Sequence, residues 1–197
     1  MDLETLAAYD RGADAFAKEW LEQPPAADLH AAVLEYFRPG RTADIGCGSG
    51  RDAAWLSENG FPTTGYDASE GLLRIARDRF PKIAFVLAAL PELAGVGENT
   101  FENVLCETVI MHLAAAEIAS SVHKLLAVLV PDGTLYLSWR VTPDADARDK
   151  SGRLYGSFDA DLVRGALAGA NIVLDEQRTS GSSGKTIHRI IARKDAT

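Results

Sequence analysis

The chain has 197 residues, and 20 Lys and Arg against 28 Asp and Glu give it a net charge of −8. Its 47% hydrophobic and 24% charged residues are ordinary for a folded protein and exclude disordered and collagen-like chains. The length suits one domain. The acidic balance argues against a broad phosphate-binding face, so we expect no nucleic-acid partner.

Cysteine usage and hydropathy predict a cytoplasmic protein. Cys47 and Cys106 do not form a C-x-x-C pair, so we expect no zinc site or redox dithiol, and two free thiols suit a reducing compartment. The longest apolar run, residues 83–90, is far shorter than the roughly 20 residues that span a bilayer. The N-terminus has no apolar signal core, so we expect no membrane association.

Helix and strand patterns alternate along the chain. Helices are expected over about Leu3–Leu21 and from Asp28, as N-cap, to Phe37; residues 1–38 form an N-terminal helical cap. Further helices are expected at Arg51–Glu58, after Ser69, at Glu117–Leu129 and at Phe158–Ala168. Strands are expected at Thr42–Ile45, Thr63–Tyr66, Ile83–Leu87, Phe101–Cys106, Thr134–Trp139, Asn171–Gln177 and Thr186–Ala192. Residues 141–157 are polar and are expected to form an irregular loop that serves as a substrate lid.

This alternation predicts an α/β fold with one mostly parallel, doubly wound sheet covered by helices on both faces. The last two strands are joined by a short turn, so we expect them to be antiparallel, because a parallel crossover needs a dozen or more residues. In such sheets ligands bind at the carboxyl ends of the strands, where the strand order reverses.

The strongest motif is Asp44-Ile45-Gly46-Cys47-Gly48-Ser49-Gly50, between the first strand and a helix. Its alternate glycines let the backbone approach a ligand closely, although a tight packing turn would also explain them. Asp67 ends the second strand and can accept two ribose hydroxyl protons; the alternative is an N-cap role, which Ser69 already supplies. Asp44 can accept hydrogen bonds from an amine, or merely brace the loop.

Two ligands compete for this loop. The dinucleotide pattern G-x-G-x-x-G/A fits Gly48 to Ala53, but it leaves Gly46 unexplained and places the Asp44 carboxylate beside a pyrophosphate. S-adenosylmethionine carries no phosphate and has an ammonium group, so it suits the loop better. We therefore expect S-adenosylmethionine as the cofactor.

The chain resembles the class I S-adenosylmethionine-dependent methyltransferases, in particular a bacterial small-molecule-type subgroup. The resemblance rests on the glycine motif, on Gly65–Ser69, on Leu90-Pro91 with Thr100–Val104, and on Leu129–Leu135. It implies a Rossmann-like seven-stranded sheet with the last strand antiparallel. It also implies cofactor contacts from Asp44, Gly46, Cys47, Gly48, Gly50, Arg51, Asp67, Ala68, Ala89, Leu90 and Glu107. Ala88 stands where many relatives have an acid, a departure expected to weaken cofactor binding.

Methyl transfer is a direct displacement that depends mainly on alignment, so a fixed catalytic residue is often absent. The candidate general base is His112, although a structural histidine is an equal alternative. Tyr9, Trp20, Arg140 and Tyr155 are the candidate substrate contacts, with helix packing or solvation as the alternative for each. No metal ligand set is visible.

The sequence therefore predicts a methyltransferase that acts on a small molecule by in-line displacement. Two alternatives stay open: an NAD(P)-binding oxidoreductase and a non-catalytic S-adenosylmethionine-binding protein. The methyl acceptor and the oligomeric state are not specified by the sequence.

Overall fold

A computed structural model describes residues 1–196. The strands are β1 (Thr42–Ile45), β2 (Thr63–Asp67), β3 (Ala84–Leu87), β4 (Phe101–Glu107), β5 (Leu129–Arg140), β6 (Ala147–Arg148), β7 (Leu154–Tyr155), β8 (Ala170–Thr179) and β9 (Thr186–Lys194). The helices are α1 (Leu3–Glu22), α2 (Ala27–Tyr36), α3 (Arg51–Glu58), α4 (Glu70–Arg79), α5 (Ala115–Val128) and α6 (Ala160–Ala166), with a 3₁₀ turn at Ile110–His112. No helix in residues 1–196 is long and apolar enough to cross a membrane.

Seven strands form one sheet in the order β3-β2-β1-β4-β5-β9-β8. The first five strands in this order are parallel to one another, and β9 runs antiparallel to both β5 and β8. The expected mostly parallel sheet with its last strand antiparallel is thereby confirmed. The strand order reverses beside β1, where Asp44 lies between Gly65 of β2 and Leu105 of β4, and this reversal opens a crevice at the carboxyl ends of the strands.

Apolar periodicity explains the core. All four residues of β1 are buried, as expected of a central parallel strand covered on both faces. In α5 the stripe Ile118, Val122 and Leu125 is fully buried against the sheet. At the start of α4, the Ser69 hydroxyl accepts a hydrogen bond from Leu72 N at 3.2 Å, which confirms Ser69 as its N-cap.

The expected N-cap role of Asp28 is wrong. Helix α2 begins at Ala27 after Ala26, with no side-chain cap, so Asp28 lies inside the first turn. Its carboxylate instead accepts a hydrogen bond from Gly181 N at 3.2 Å and pairs with Arg178 at the same distance. The Asp28 side chain thus forms long-range contacts instead of the N-cap hydrogen bond that the local sequence predicts.

Helix α1 and residues 141–157 are joined to each other. The segment is not wholly irregular, because it contains the two-stranded ribbon of β6 and β7. Arg148 forms an ion pair with Asp2 at 2.9 Å, and Leu154 N donates to the Thr5 hydroxyl at 2.8 Å. The ribbon is therefore anchored on the first two turns of α1.

The two N-terminal helices pack on different parts of the protein. Helix α1 buries Ala13 and Ala17 against α4, whereas α2 buries Leu29 and Val33 in a cluster with Tyr136 of β5. Of the expected cap over residues 1–38, only α1 reaches the crevice described next.

Candidate active site

A cavity of about 390 Å³ opens at the carboxyl ends of β1, β2 and β4, beneath α1. Its size lies within the usual range for small-ligand sites. The cavity brings together most of the predicted cofactor residues. Those lining it are Gly46, Cys47, Gly48, Arg51, Asp67, Ala68, Ala89, Leu90 and Glu107. All four predicted substrate residues and His112 line it as well.

The glycine loop has a backbone that other residues rarely adopt. Gly46 and Gly48 have φ angles of +76° and +54°, in the left-handed region. A Cβ atom at Gly46 would lie 2.2 Å from Val109 Cγ2, and one at Gly48 would lie 2.9 Å from Trp20 Cζ3. Both conformation and space therefore require glycine here. Gly50, with φ +87°, is the N-cap of α3 and does not line the cavity.

Asp67 is held in position beside this loop. Its Oδ2 accepts a hydrogen bond from Gly48 N, and its Oδ1 accepts one from Ser69 N, both at 2.8 Å. A carboxylate offers about four acceptor sites, so each oxygen keeps capacity for a further donor. Burial raises the pKa of Asp67, and the backbone N–H bonds oppose that rise. The carboxylate at the cavity wall fits a vicinal diol such as a ribose.

Asp44 is placed differently from the prediction. It is buried, its Oδ2 has no hydrogen-bond partner among residues 1–196, and it does not line the cavity. Burial raises its pKa well above the ordinary value, and the nearby Asp52 and Asp67 raise it further. The structure thus does not bring Asp44 to the ligand surface, and its predicted contact with an amine stays a prediction.

Arg51 and the residues after β3 complete the loop side of the cavity. The Arg51 guanidinium donates to Trp20 O at 3.1 Å and pairs with Asp52 at 3.2 Å, so it ties the loop to the end of α1. Ala88 and Leu90 are buried and present an apolar wall. Adenine recognition here would depend on apolar contact and backbone groups.

Glu107 ends β4 and faces the cavity. The Ser138 hydroxyl of the neighbouring strand β5 donates a hydrogen bond to its carboxyl. Burial raises the pKa of Glu107 to about 7, although the hydrogen bond from Ser138 acts to lower it. Its carboxyl therefore changes charge near neutral pH.

His112 has both ring nitrogens engaged. Nδ1 contacts the Leu154 carbonyl, which can only accept, so Nδ1 carries the proton and donates. Nε2 is then the acceptor, and the Tyr9 hydroxyl donates a hydrogen bond to it at 2.9 Å. Burial lowers the pKa of His112 to about 4, so the ring is neutral at pH 7.

Arginines and aromatic rings from α1, β5 and β7 form the far wall. Arg153 pairs with Asp149 at 2.7 Å and lies over the rings of Tyr9 and Phe16, 5.3 and 4.4 Å from their centroids. Arg140, the last residue of β5, lies 4.8 Å from the Tyr155 ring centroid. Two of the predicted substrate residues are thus in direct contact with each other.

Sequence reasoning missed part of this wall. Ser180, Ser182, Ser183 and Lys185 of the β8–β9 hairpin line the cavity. Val109, which fills the space left by Gly46, was missed as well. The local sequence around Lys185 indicates only a turn. That the hairpin extends over the cavity depends on tertiary packing, which the local sequence does not show.

Comparison with known proteins agrees with this geometry. Residues 43–133 match the family model described as a methyltransferase domain. They contain the glycine loop, Asp67 and Glu107, and they follow the strand order given above. Residues 43–133 are thus similar in sequence to the methyltransferase domains that this model describes.

Curated proteins that are similar to this chain include two bacterial enzymes. A ubiquinone biosynthesis O-methyltransferase of Alkalilimnicola ehrlichii is 29% identical over 140 residues, covering 64% of this chain and 56% of the relative. A trans-aconitate 2-methyltransferase of Sinorhizobium medicae is 34% identical over 116 residues, covering 56% and 42%. The chain thus spans about half the length of these relatives.

Among solved structures, a 1,6-didemethyltoxoflavin-N1-methyltransferase of Burkholderia thailandensis has the same fold. It superposes with a TM-score of 0.75 at 23% identity, covering 98% of this chain and 88% of that one. That protein was crystallised with its substrate and S-adenosylhomocysteine. The likeness in fold extends beyond residues 43–133 to α1 and the β8–β9 hairpin.

Proposed function

We propose that the protein transfers a methyl group from S-adenosylmethionine to a small molecule by in-line displacement. The observation that carries the proposal is the Asp67 carboxylate, fixed by Gly48 N and Ser69 N at the wall of a cavity beside a glycine loop. The relatives support it, since ubiquinone precursors, trans-aconitate and 1,6-didemethyltoxoflavin are all small molecules.

In this proposal each part of the cavity has a separate role. Asp67 would accept hydrogen bonds from the ribose hydroxyls. The backbone from Gly46 to Gly48 would lie against the amino-acid portion of the cofactor, and Ala89 and Leu90 would contact the adenine. When bound, S-adenosylmethionine supplies an electrophilic methyl group on a sulfonium. Asp44 and Gly50 support the loop from behind, and Arg51 ties it to the end of α1 at the cavity wall.

The protein contributes alignment and exclusion of water. Correct orientation of two reacting groups can supply about 7–11 kcal/mol of the barrier. Helix α1 and residues 141–157, joined by Asp2–Arg148 and Thr5–Leu154, serve as the lid. His112 as a base would take a proton through the Tyr9 hydroxyl, because Nε2 already accepts from that group.

We infer that the protein works in the cytoplasm as one methyltransferase domain with a small-molecule partner. The free thiols of Cys47 and Cys106 are buried and suit a reducing compartment. Fractionation of cells that express the tagged chain tests the location, and recovery from an oxidising compartment would contradict it.

Cofactor choice is tested by isothermal titration with S-adenosylmethionine, S-adenosylhomocysteine, NADH and NADPH. We expect both adenosyl sulfur compounds to bind and neither nicotinamide cofactor to bind. Binding of the nicotinamide cofactors alone would favour the oxidoreductase. Release of S-adenosylhomocysteine with a small-molecule library then separates an enzyme from a non-catalytic binding protein.

Substitution of Asp67 tests the ribose assignment. Asp67→Ala should weaken S-adenosylhomocysteine binding by about 1–3 kcal/mol, because the hydrogen bonds to a charged acceptor are lost. Asp67→Asn keeps the side-chain shape, and Asp195→Ala removes an exposed carboxylate as the control. Unchanged affinity in a folded Asp67→Ala variant would show that the ribose lies elsewhere.

A further inference from the structure

The charges along the cavity wall are not evenly distributed. The acidic side chains Asp67 and Glu107 lie on the side formed by β2, β4 and the glycine loop, where the one arginine, Arg51, is paired with Asp52. The cationic side chains Arg140, Arg153 and Lys185 lie on the side formed by the end of β5, residues 141–157 and the β8–β9 hairpin. The acidic side suits a sulfonium cofactor. The cationic side is left for another molecule.

These cations differ in whether the protein already neutralises them. Arg153 is paired with Asp149 and is enclosed by Tyr9, Phe16 and Tyr155. Within residues 1–196, no carboxylate lies within 4.0 Å of the side-chain nitrogens of Arg140. Arg140 is half-buried, so its charge has lost part of its hydration without gaining an anion.

The surroundings of Arg140 hold its side chain at the cavity wall. Its position is fixed by the sheet, where it pairs with the buried Ile187 of β9, itself a cavity residue. Its side chain lies against the Tyr155 ring, with 4.8 Å between Cζ and the ring centroid. This cation–π contact restrains the guanidinium, whose planar fork matches the two oxygens of a carboxylate.

We propose that the methyl acceptor carries a carboxylate and that Arg140, supported by the Tyr155 ring, binds it. The inference rests on the proposed function, in that the cofactor occupies the glycine-loop side. Arg140 sets specificity for an organic anion, Arg153 holds the wall in place, and Lys185 adds a flexible positive charge at the rim.

The test is binding of matched anions and neutral molecules to the full chain saturated with S-adenosylhomocysteine. The probes are 3-phenylpropionate, glutarate and tricarballylate, each with its primary amide, measured by isothermal titration. We expect at least one carboxylate to bind about tenfold or more tightly than its amide. No carboxylate preferred over its amide would overturn the inference.

Three variants locate the effect. Arg140→Gln should raise the dissociation constant of the preferred carboxylate about 10- to 100-fold, and Arg140→Lys should give a smaller rise because the charge remains but the fork is lost. Arg193→Gln removes the same charge from the exposed face of β9 and should change nothing. The affinity for S-adenosylhomocysteine should stay within about twofold in all three.

Other outcomes are decisive too. Weaker S-adenosylhomocysteine binding by Arg140→Gln would mean that Arg140 holds the carboxylate of the cofactor, which overturns the inference but keeps the proposed function. An unchanged carboxylate affinity in that variant overturns it as well. Absence of S-adenosylhomocysteine binding to the unsubstituted chain would instead remove the proposed function itself.

Discussion

Glu107 gives a prediction whose size follows from its surroundings. Burial between β1 and β5 raises its pKa from the ordinary 4.5 to about 7. In the folded chain the carboxyl therefore keeps its proton up to about pH 7, whereas in the unfolded chain it loses the proton near pH 4.5. The unfolded state binds fewer protons in this interval, so the free energy of unfolding falls as pH rises through it.

The magnitude is set by the width of the interval. Each pH unit is worth about 1.4 kcal/mol, so the fall between pH 4.5 and 7 is at most about 3 kcal/mol. Glu107→Gln keeps the shape of the side chain and can still accept the hydrogen bond from the Ser138 hydroxyl, but it does not titrate. The difference in unfolding free energy, wild type minus Glu107→Gln, should fall by that amount over the interval and be level above pH 7.

The assay is urea unfolding followed by tryptophan fluorescence at half-unit steps from pH 4.5 to 8.5, without cofactor. Taking the difference cancels the acids that Glu107 does not influence; the groups whose pKa it also raises are Asp44, Cys106 and Tyr136. Glu98→Gln, at an exposed position in the β3–β4 connection, controls for removal of one carboxylate. A difference curve that is flat from pH 4.5 to 7 would refute the burial argument.

Two further predictions concern His112 and the core. In ¹H–¹⁵N spectra His112 should remain neutral from pH 8 down to about 5, with its proton on Nδ1, because burial lowers its pKa to about 4. Protonation of the ring near pH 6.5 would contradict the burial of His112. Leu125→Ala should lower the free energy of unfolding by about 2–5 kcal/mol in urea titrations, because its side chain is fully buried between α5 and the sheet. A loss below about 1 kcal/mol would show that the site collapses without a cavity.

Local pattern was sufficient for the sheet. The buried run of β1 and the Ser69 cap of α4 depend on neighbours in sequence, so periodicity and capping rules predict them. The ribbon of β6 and β7 was not predictable in this way. It is held by Arg148 on Asp2 and Leu154 on Thr5, contacts between residues more than 140 positions apart.

The candidate site likewise has parts that the sequence predicts and parts that depend on tertiary packing. Because the carboxyl ends of parallel strands meet at one edge, the sequence alone predicts that Asp67 and the glycine loop lie together. It does not predict that α2 turns away from the cavity or that Lys185 reaches it, since both depend on how helices and hairpins pack on the finished sheet.

Availability of a side chain depends on its partners, which composition cannot show. His112 has the residue type of a general base, yet Leu154 O and the Tyr9 hydroxyl use both of its nitrogens. Arg153 and Arg140 have the same guanidinium, yet only Arg153 is neutralised by a neighbouring carboxylate. A carboxylate oxygen that itself receives the methyl group needs no proton removed, so a histidine with both nitrogens occupied is consistent with the carboxylate acceptor proposed above.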